Sequence, residues 1–192
     1  MKNIVTFALA FACLVTVSRA QMVIKPAVGI NFTDFSKDAS TGKYESKVGY
    51  QIGGSIAFGN KWYIEPGIFY VMKSTKYVNE GSTGEDIDFE VGGIRIPVNI
   101  GVKLLGDSSG GFGLRAFGGV SSFILTNVKD FDIDDFKKAQ WGLQAGVGLD
   151  FSILFIEGAY EWSLTDVSSD LDDVDVGKSR SIFVQAGVRL RL

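Results

Sequence analysis

The 192-residue chain contains no histidine. That absence removes Ser-His-Asp and Cys-His nucleophile arrangements, histidine metal sites and histidine acid–base chemistry from the functions open to it. Cysteine is almost as scarce. Its one copy, Cys13, lies in a leader-like stretch, so a chain beginning at Gln21 has none and must hold together without disulfides. No segment shows helical periodicity, none reads as a linker, and no apolar run reaches the roughly 20 residues of a transmembrane helix. An excess of positive charge is lacking too. Setting aside Lys2 and Arg19 leaves 17 basic residues of the 19, against 22 acidic ones, for a net charge of −5 that speaks against nucleic acid as a partner.

The first twenty residues, MKNIVTFALAFACLVTVSRA, carry a lysine near the start, an apolar stretch from Ile4 to Val17, and small residues Ser18 and Ala20 at the −3 and −1 places before Gln21. They predict a secretory signal peptide over 1–20, export by the Sec route, and a single domain over 21–192. A membrane anchor is disfavoured because the apolar stretch is too short. A lipid anchor on Cys13 is disfavoured by Phe11, bulky where a small residue is expected.

What the chain does have is period-two alternation, repeated eight times. Strands are expected over Met22 to Phe32, Val48 to Phe58, Trp62 to Met72, Phe89 to Leu104, Phe112 to Ile124, Ala139 to Phe151, Ser152 to Leu164 and Ser181 to Leu192, most of them about eleven residues long. The phase of the fourth falters before Gly92 and Gly93, which predicts a bulge or the strand's true start there. Long connections alternate with short ones at Gly59 and Asn60 and at Gly106 to Gly110, and with almost nothing between the sixth and seventh strands. A soluble sandwich also alternates, but its strands average about 5 to 6 residues, whereas strands that cross a bilayer need about 9 to 11. The even count, the strand length and the loop alternation predict an all-β, eight-stranded antiparallel up-and-down transmembrane barrel. A lipocalin-like soluble barrel is the fold alternative, with the faces inverted.

On the apolar face, Phe32, Tyr50, Tyr70, Trp141, Tyr160 and Trp162 fall near one rim and Phe58, Trp62, Phe112 and Phe151 near the other, as two aromatic girdles. The opposite face mixes charge with glycines such as Gly29, Gly53, Gly101, Gly146 and Gly187. An eight-stranded barrel has an interior that side chains just fill, so small residues must offset long ones. There Lys25, Arg95, Lys103, Arg115, Arg189 and Arg191 are expected to meet Glu65, Asp150, Glu157 and Glu161 in a lumen charge network. Arg189 and Arg191 are expected to face Glu157 and Glu161 on the preceding strand.

Several stretches carry a family likeness: VGINF (Val28 to Phe32), YIEPGIFY (Tyr63 to Tyr70), IRIPVNIGVKL (Ile94 to Leu104), LQAGVGLDF (Leu143 to Phe151) and EGAYEWSLTDV (Glu157 to Val167). In these the chain resembles the PorT-like outer membrane β-barrel family common in the Bacteroidetes, and more broadly the small OmpA- and OmpX-type barrels. The resemblance implies a Gram-negative cell envelope location and a barrel architecture rather than a reaction. PorT itself is associated with secretion across the outer membrane. The chain also ends in a pattern similar to a barrel assembly signal, with Gln185, Gly187, Leu190 and Leu192 in its key places and Leu192 where phenylalanine is usual.

Two loops are acidic, DFDIDD (Asp130 to Asp135) and DVSSDLDDVDVGK (Asp166 to Lys178). Their carboxylates could hold Ca²⁺, but no EF-hand spacing is present and a solvated acidic surface explains them as well. The function expected is a structural or surface-interaction barrel with a plugged polar lumen, acting through these loops. A narrow porin or small-solute channel, or an accessory part in protein secretion, is the alternative. An enzyme is disfavoured, because Glu157 and Glu161 stand roughly 13 Å apart along one strand, beyond the spacing of glycosidase carboxylates. No cofactor is expected. The expected partners are outer membrane lipids, the barrel assembly machinery during insertion, and an extracellular or envelope protein at the loops; nucleic acid is excluded, and the barrel is expected to be a monomer.

Overall fold

A strand with one apolar and one polar face must place the apolar face in an apolar phase, and a sheet that closes on itself satisfies every backbone pair without leaving an edge. The computed structural model describes residues 21–35, 42–46, 48–79, 87–106, 111–128, 139–164 and 179–192. Its strands are β1 (Met22–Phe35), β2 (Gly42–Ser46), β3 (Val48–Gly59), β4 (Trp62–Asn79), β5 (Ile87–Leu105), β6 (Phe112–Val128), β7 (Ala139–Phe151), β8 (Leu154–Ser163), β9 (Ser179–Val188) and β10 (Leu190–Arg191). Each pairs antiparallel with its neighbour in the order β1-β3-β4-β5-β6-β7-β8-β9, and β9 and β10 pair back onto β1. The result is a closed, eight-crossing up-and-down barrel.

Two crossings are interrupted. β2 lies above β3 on the same flank of β4, and from Ser46↔Thr75 to Tyr50↔Met72 the β2–β3 side advances four residues against three on β4. That extra residue is a β-bulge. The eighth crossing breaks between β9 and β10 although the register is unbroken, from Ala27↔Gly187 to Ile24↔Leu190. Pro26 lies in that gap. Met22 accepts from the Leu192 amide at 2.9 Å, so the even residues of β1 point their polar groups at β9 and β10, and Pro26 has no N–H to give.

The strands differ from the sequence expectation mainly in length. β4, β5 and β6 run 18, 19 and 17 residues, and β2 occupies part of what the sequence suggested was a loop. A register shift falls at Gly92/Gly93, where the alternation faltered. The short connections gather at one end, called here the turn end. Gly59, Gly106 and Gly111 take φ of 132°, 94° and 105° there, and Ser152 opens a two-residue hairpin with φ of 56°. A left-handed first loop residue suits the strand twist of such a hairpin.

Burial is inside out relative to a soluble protein. Among the described residues, 17 polar or charged side chains are buried against nine apolar ones, while Ile52, Ile68, Ile100 and Val147 are more than half exposed. Soluble monomers rarely show a contiguous apolar patch beyond a few hundred Å², and this one encircles the molecule. The lipocalin alternative, with an apolar lumen, is thereby ruled out. All ten girdle aromatics lie on the outer face: Tyr50, Trp62, Tyr70, Phe112, Trp141, Phe151 and Trp162 are exposed, and Phe32, Phe58 and Tyr160 are half-buried. Phe112 and Phe151 meet edge to face at 5.5 Å near the turn end, and Tyr160 and Trp162 lie 4.6 Å apart toward the other. Trp62 to Tyr70 and Trp141 to Phe151 put the girdles about 20–25 Å apart at a strand tilt near 40°, the height of an outer membrane's apolar band.

Candidate functional site

The inward row follows from strand parity, and among the described residues the lumen is where polar and charged side chains gather. Near the turn end, Lys25 on β1 reaches across the barrel to Glu65 Oε1 on β4, at 2.7 Å, and to Glu157 Oε1 on β8. Ser55 donates to the same Glu65 oxygen at 2.6 Å. Arg115 on β6 holds Asp150 with Nε and Nη2 at 2.8–3.0 Å, meets Glu157 at 2.8 Å and Glu65 at 3.8 Å, and donates to the Tyr63 hydroxyl at 3.3 Å. Arg189 completes the group through Nη1, 2.9 Å from Asp150 Oδ2. Three cations and three carboxylates thus balance, all under 10% exposed. An isolated ammonium or carboxylate in such a place would cost far more than pairing returns, so the matched count is what allows the burial.

Further from the turn end, Arg95 on β5 donates to Glu161 on β8 through Nε at 2.9 Å, and pairs with Gln144. Ser121 donates to the same Glu161 oxygen at 2.7 Å, and Gln144 donates to Asn99 at 2.5 Å. Above these lies an apolar layer of Phe69, Val71, Phe123, Leu125 and Phe183. The layers are joined by cation–π contacts, Arg95 over Phe183 at 4.1 Å and Lys73 over Phe123 at 4.6 Å. Between the polar groups a cavity of about 20 Å³ remains, enough for one or two waters.

Glycines make room for this filling one by one. Tyr63 faces Gly101, Phe69 faces Gly53, Phe117 faces Gly146 and Phe155 faces Gly187 across neighbouring strands. A methyl added at Gly101 would lie 2.1 Å from the Tyr63 ring, and one at Gly146 2.5 Å from the Phe117 ring. The rings lie flat on the wall because their partners have no side chain.

Of the residues singled out from sequence, Lys25, Glu65, Arg95, Arg115, Asp150, Glu157, Glu161 and Arg189 are brought together in the lumen. Lys103 is half-buried at the turn-end mouth, and Arg191 is exposed on its rim rather than buried in the network. Arg189 pairs with Asp150 rather than with Glu157, which is held by Lys25 and Arg115, or Glu161, which is held by Arg95. Gln185 points inward, accepts from Gln51 at 2.8 Å and donates to Glu157 at 2.6 Å, while Leu190 and Leu192 face outward. Tyr63, Lys73 and the inner phenylalanines were missed, although they share the odd parity of Glu65 or its equivalent row. Both acidic loops, and residues 1–20, lie outside the described residues.

A closed eight-stranded barrel with an aliphatic exterior, two aromatic girdles and a polar interior is an integral outer membrane type of protein. The chain belongs to the outer membrane protein beta-barrel domain family, whose model matches residues 18–169. Its fold is similar to that of the outer membrane protein OprG from Pseudomonas aeruginosa, at 12% identity and a TM-score of 0.54, covering 88% of this chain and 93% of that one. It is similar too to Neisserial surface protein A, at 14% identity and a TM-score of 0.51, covering 89% and 97%. At such identities the likeness is one of fold. No curated protein matches the chain in sequence.

Proposed function

We propose that the protein is a small outer membrane barrel with a plugged lumen that serves a structural or surface-interaction role rather than conducting solutes. The observation that carries this reading is the cross-lumen network, in which Lys25 and Arg115 tie β1 and β6 to Glu65 on β4 and Glu157 on β8. A solute would have to break several buried ion pairs to pass. Function then falls to the loops at the far end, whose acidic runs Asp130 to Asp135 and Asp166 to Lys178 suit a cationic partner on an envelope or extracellular protein. The same reading includes a signal peptide over 1–20 removed after Sec export, insertion by the barrel assembly machinery, a monomer in lipid, no enzymatic activity, and a place in the PorT-like Bacteroidetes branch. Purified protein in planar bilayers tests it. The expected record is quiet, and a stable single-channel conductance of porin size would overturn the plug.

A further inference from the structure

We propose that the middle of β4, Glu65 to Ile68, is a movable segment of the barrel wall, latched in place from the lumen by the Glu65 carboxylate. The chain has three prolines, Pro26, Pro66 and Pro97, and all of them stand inside strands of the wall. A proline withholds one N–H from the ladder, so sheets tolerate it mainly at edges and bulges, and a closed barrel has no edge to offer. Two of the three flank the same four residues. On the β3 side the paired register lapses between Ser55↔Gly67 and Phe58↔Ile64, across Pro66 and Ile56. On the β5 side it lapses between Pro66↔Val98 and Phe69↔Arg95, across Gly67 and Pro97.

The direction of the backbone groups shows what is lost. Lys103 donates to the Lys61 carbonyl at 2.9 Å, so the odd residues of β4 bond toward β5 and the even ones toward β3. The Gly67 carbonyl is therefore aimed at Pro97 and the Ile56 carbonyl at Pro66, neither of which has an N–H to give. By contrast, Ala116 to Val120 on β6 is paired at every residue on both flanks. Packing does little to replace the missing rungs, because Gly67 has no side chain and Ile68 is 60% exposed on the lipid face. The cavity of about 20 Å³ lies on the lumen side, lined in part by Ser55, Glu65, Phe69 and Pro97. What ties the segment is Glu65. Lys25 on β1 and Ser55 on β3 donate to its Oε1 at 2.7 and 2.6 Å, and Arg115 on β6 stands 3.8 Å from its Oε2. The side-chain ties thus reach β4 from beyond both broken flanks. Lys25 and Arg115 also hold Glu157, so Glu65 can let go while the rest of the lumen network stays in place.

Hydrogen–deuterium exchange of the folded protein in lipid nanodiscs, read by mass spectrometry, tests the latch, with 116–120 as the fully paired reference. The amides of Glu65, Gly67 and Ile68 are expected to exchange about tenfold or more faster than those of 116–120, since opening there breaks fewer rungs. Glu65→Gln should speed 65–68 by a further tenfold or so, the worth of about one charge-assisted hydrogen bond, and leave 116–120 unchanged. Pro97→Ala, which returns one N–H to the wall, should slow 65–68 selectively. Folding of each variant is checked by heat-modifiable migration, and if Glu65→Gln does not insert, Ser55→Ala, which removes one tie and no charge, carries the comparison. Equal exchange of the two segments in the unaltered barrel, acceleration of both alike in the variant, or no slowing by Pro97→Ala overturns the proposal.

Discussion

Lys25→Met is the most informative single change in the lumen. Methionine keeps most of the volume of the lysine stem and its contact with Phe155, over whose ring the ammonium sits at 4.5 Å, while removing the charge. Glu65 and Glu157 then lose their shared cation. Arg115 remains 2.8 Å from Glu157 but 3.8 Å from Glu65, so Glu65 is left the poorer of the two, with Ser55 as its close donor. Stranding one side of a buried pair costs about 3–5 kcal/mol, and the residual Arg115 contact sets the expectation at the low end, about 3 kcal/mol. The assay is urea unfolding from lipid vesicles followed by tryptophan emission, to which the chain is well suited because Trp62, Trp141 and Trp162 all lie on the outer face. Adding Glu65→Gln to Lys25→Met removes the stranded carboxylate, so the two changes are expected to be non-additive by about 1–3 kcal/mol. Stability of Lys25→Met within about 1 kcal/mol of wild type, with additive behaviour in the pair, would refute the reasoning, since it would mean that water already screens these charges.

Other perturbations test other parts of the fold. Arg189→Leu should destabilise by about 1–3 kcal/mol, less than Lys25→Met because Asp150 keeps its forked contact with Arg115; an unchanged heat-modification profile in SDS gels would count against the pairing. Gly101→Ala should lower stability by about 1–3 kcal/mol through overpacking against Tyr63, whereas Gly158→Ala, where an added methyl meets nothing within 4 Å, should be nearly neutral; equal effects at the two would sink the account of glycine given above. Exchanging the last four residues to Leu-Arg-Leu-Arg would turn two arginines toward lipid, at about 2–4 kcal/mol each at the midplane and less near the interface, and should reduce folded protein in the envelope fraction.

The parts of the fold that a bilayer imposes were legible in the sequence. Lipid demands an unbroken apolar row at every second position, so the crossings, the girdles and the direction of Lys25, Glu65, Arg115 and Glu157 followed from parity alone. Beyond the outer girdle that demand ends. In the stretch from Lys73 to Asn79 polar residues occupy both parities, and in β2 the sequence GKYES offers one aromatic and no aliphatic residue, so neither the extension of β4 nor the existence of β2 could be read from alternation. Partner choice in the lumen was also hidden. Arg189 could have met Glu157, one strand away, but cross-barrel reach decides otherwise: Lys25 and Arg115 converge on Glu157 from opposite walls and leave Asp150 for Arg189. Lys73 and the inner phenylalanines broke the simple picture of a polar row, because a narrow lumen can be filled by aromatics lying on glycines as well as by ion pairs.

The central claim is that the lumen is filled by the protein's own side chains, and thiol accessibility tests it most directly. The chain's one cysteine, Cys13, can be replaced by serine, leaving a background free of thiols. Ser55 is 7% exposed beside Glu65, whereas Ser152 is exposed in the turn-end hairpin. Single Ser55→Cys and Ser152→Cys proteins, folded in lipid, are treated with a small charged thiol reagent. The account predicts prompt labelling at position 152, and labelling at position 55 only after heat unfolds the barrel. Prompt labelling of both in the folded state would show a lumen open to solvent and contradict it.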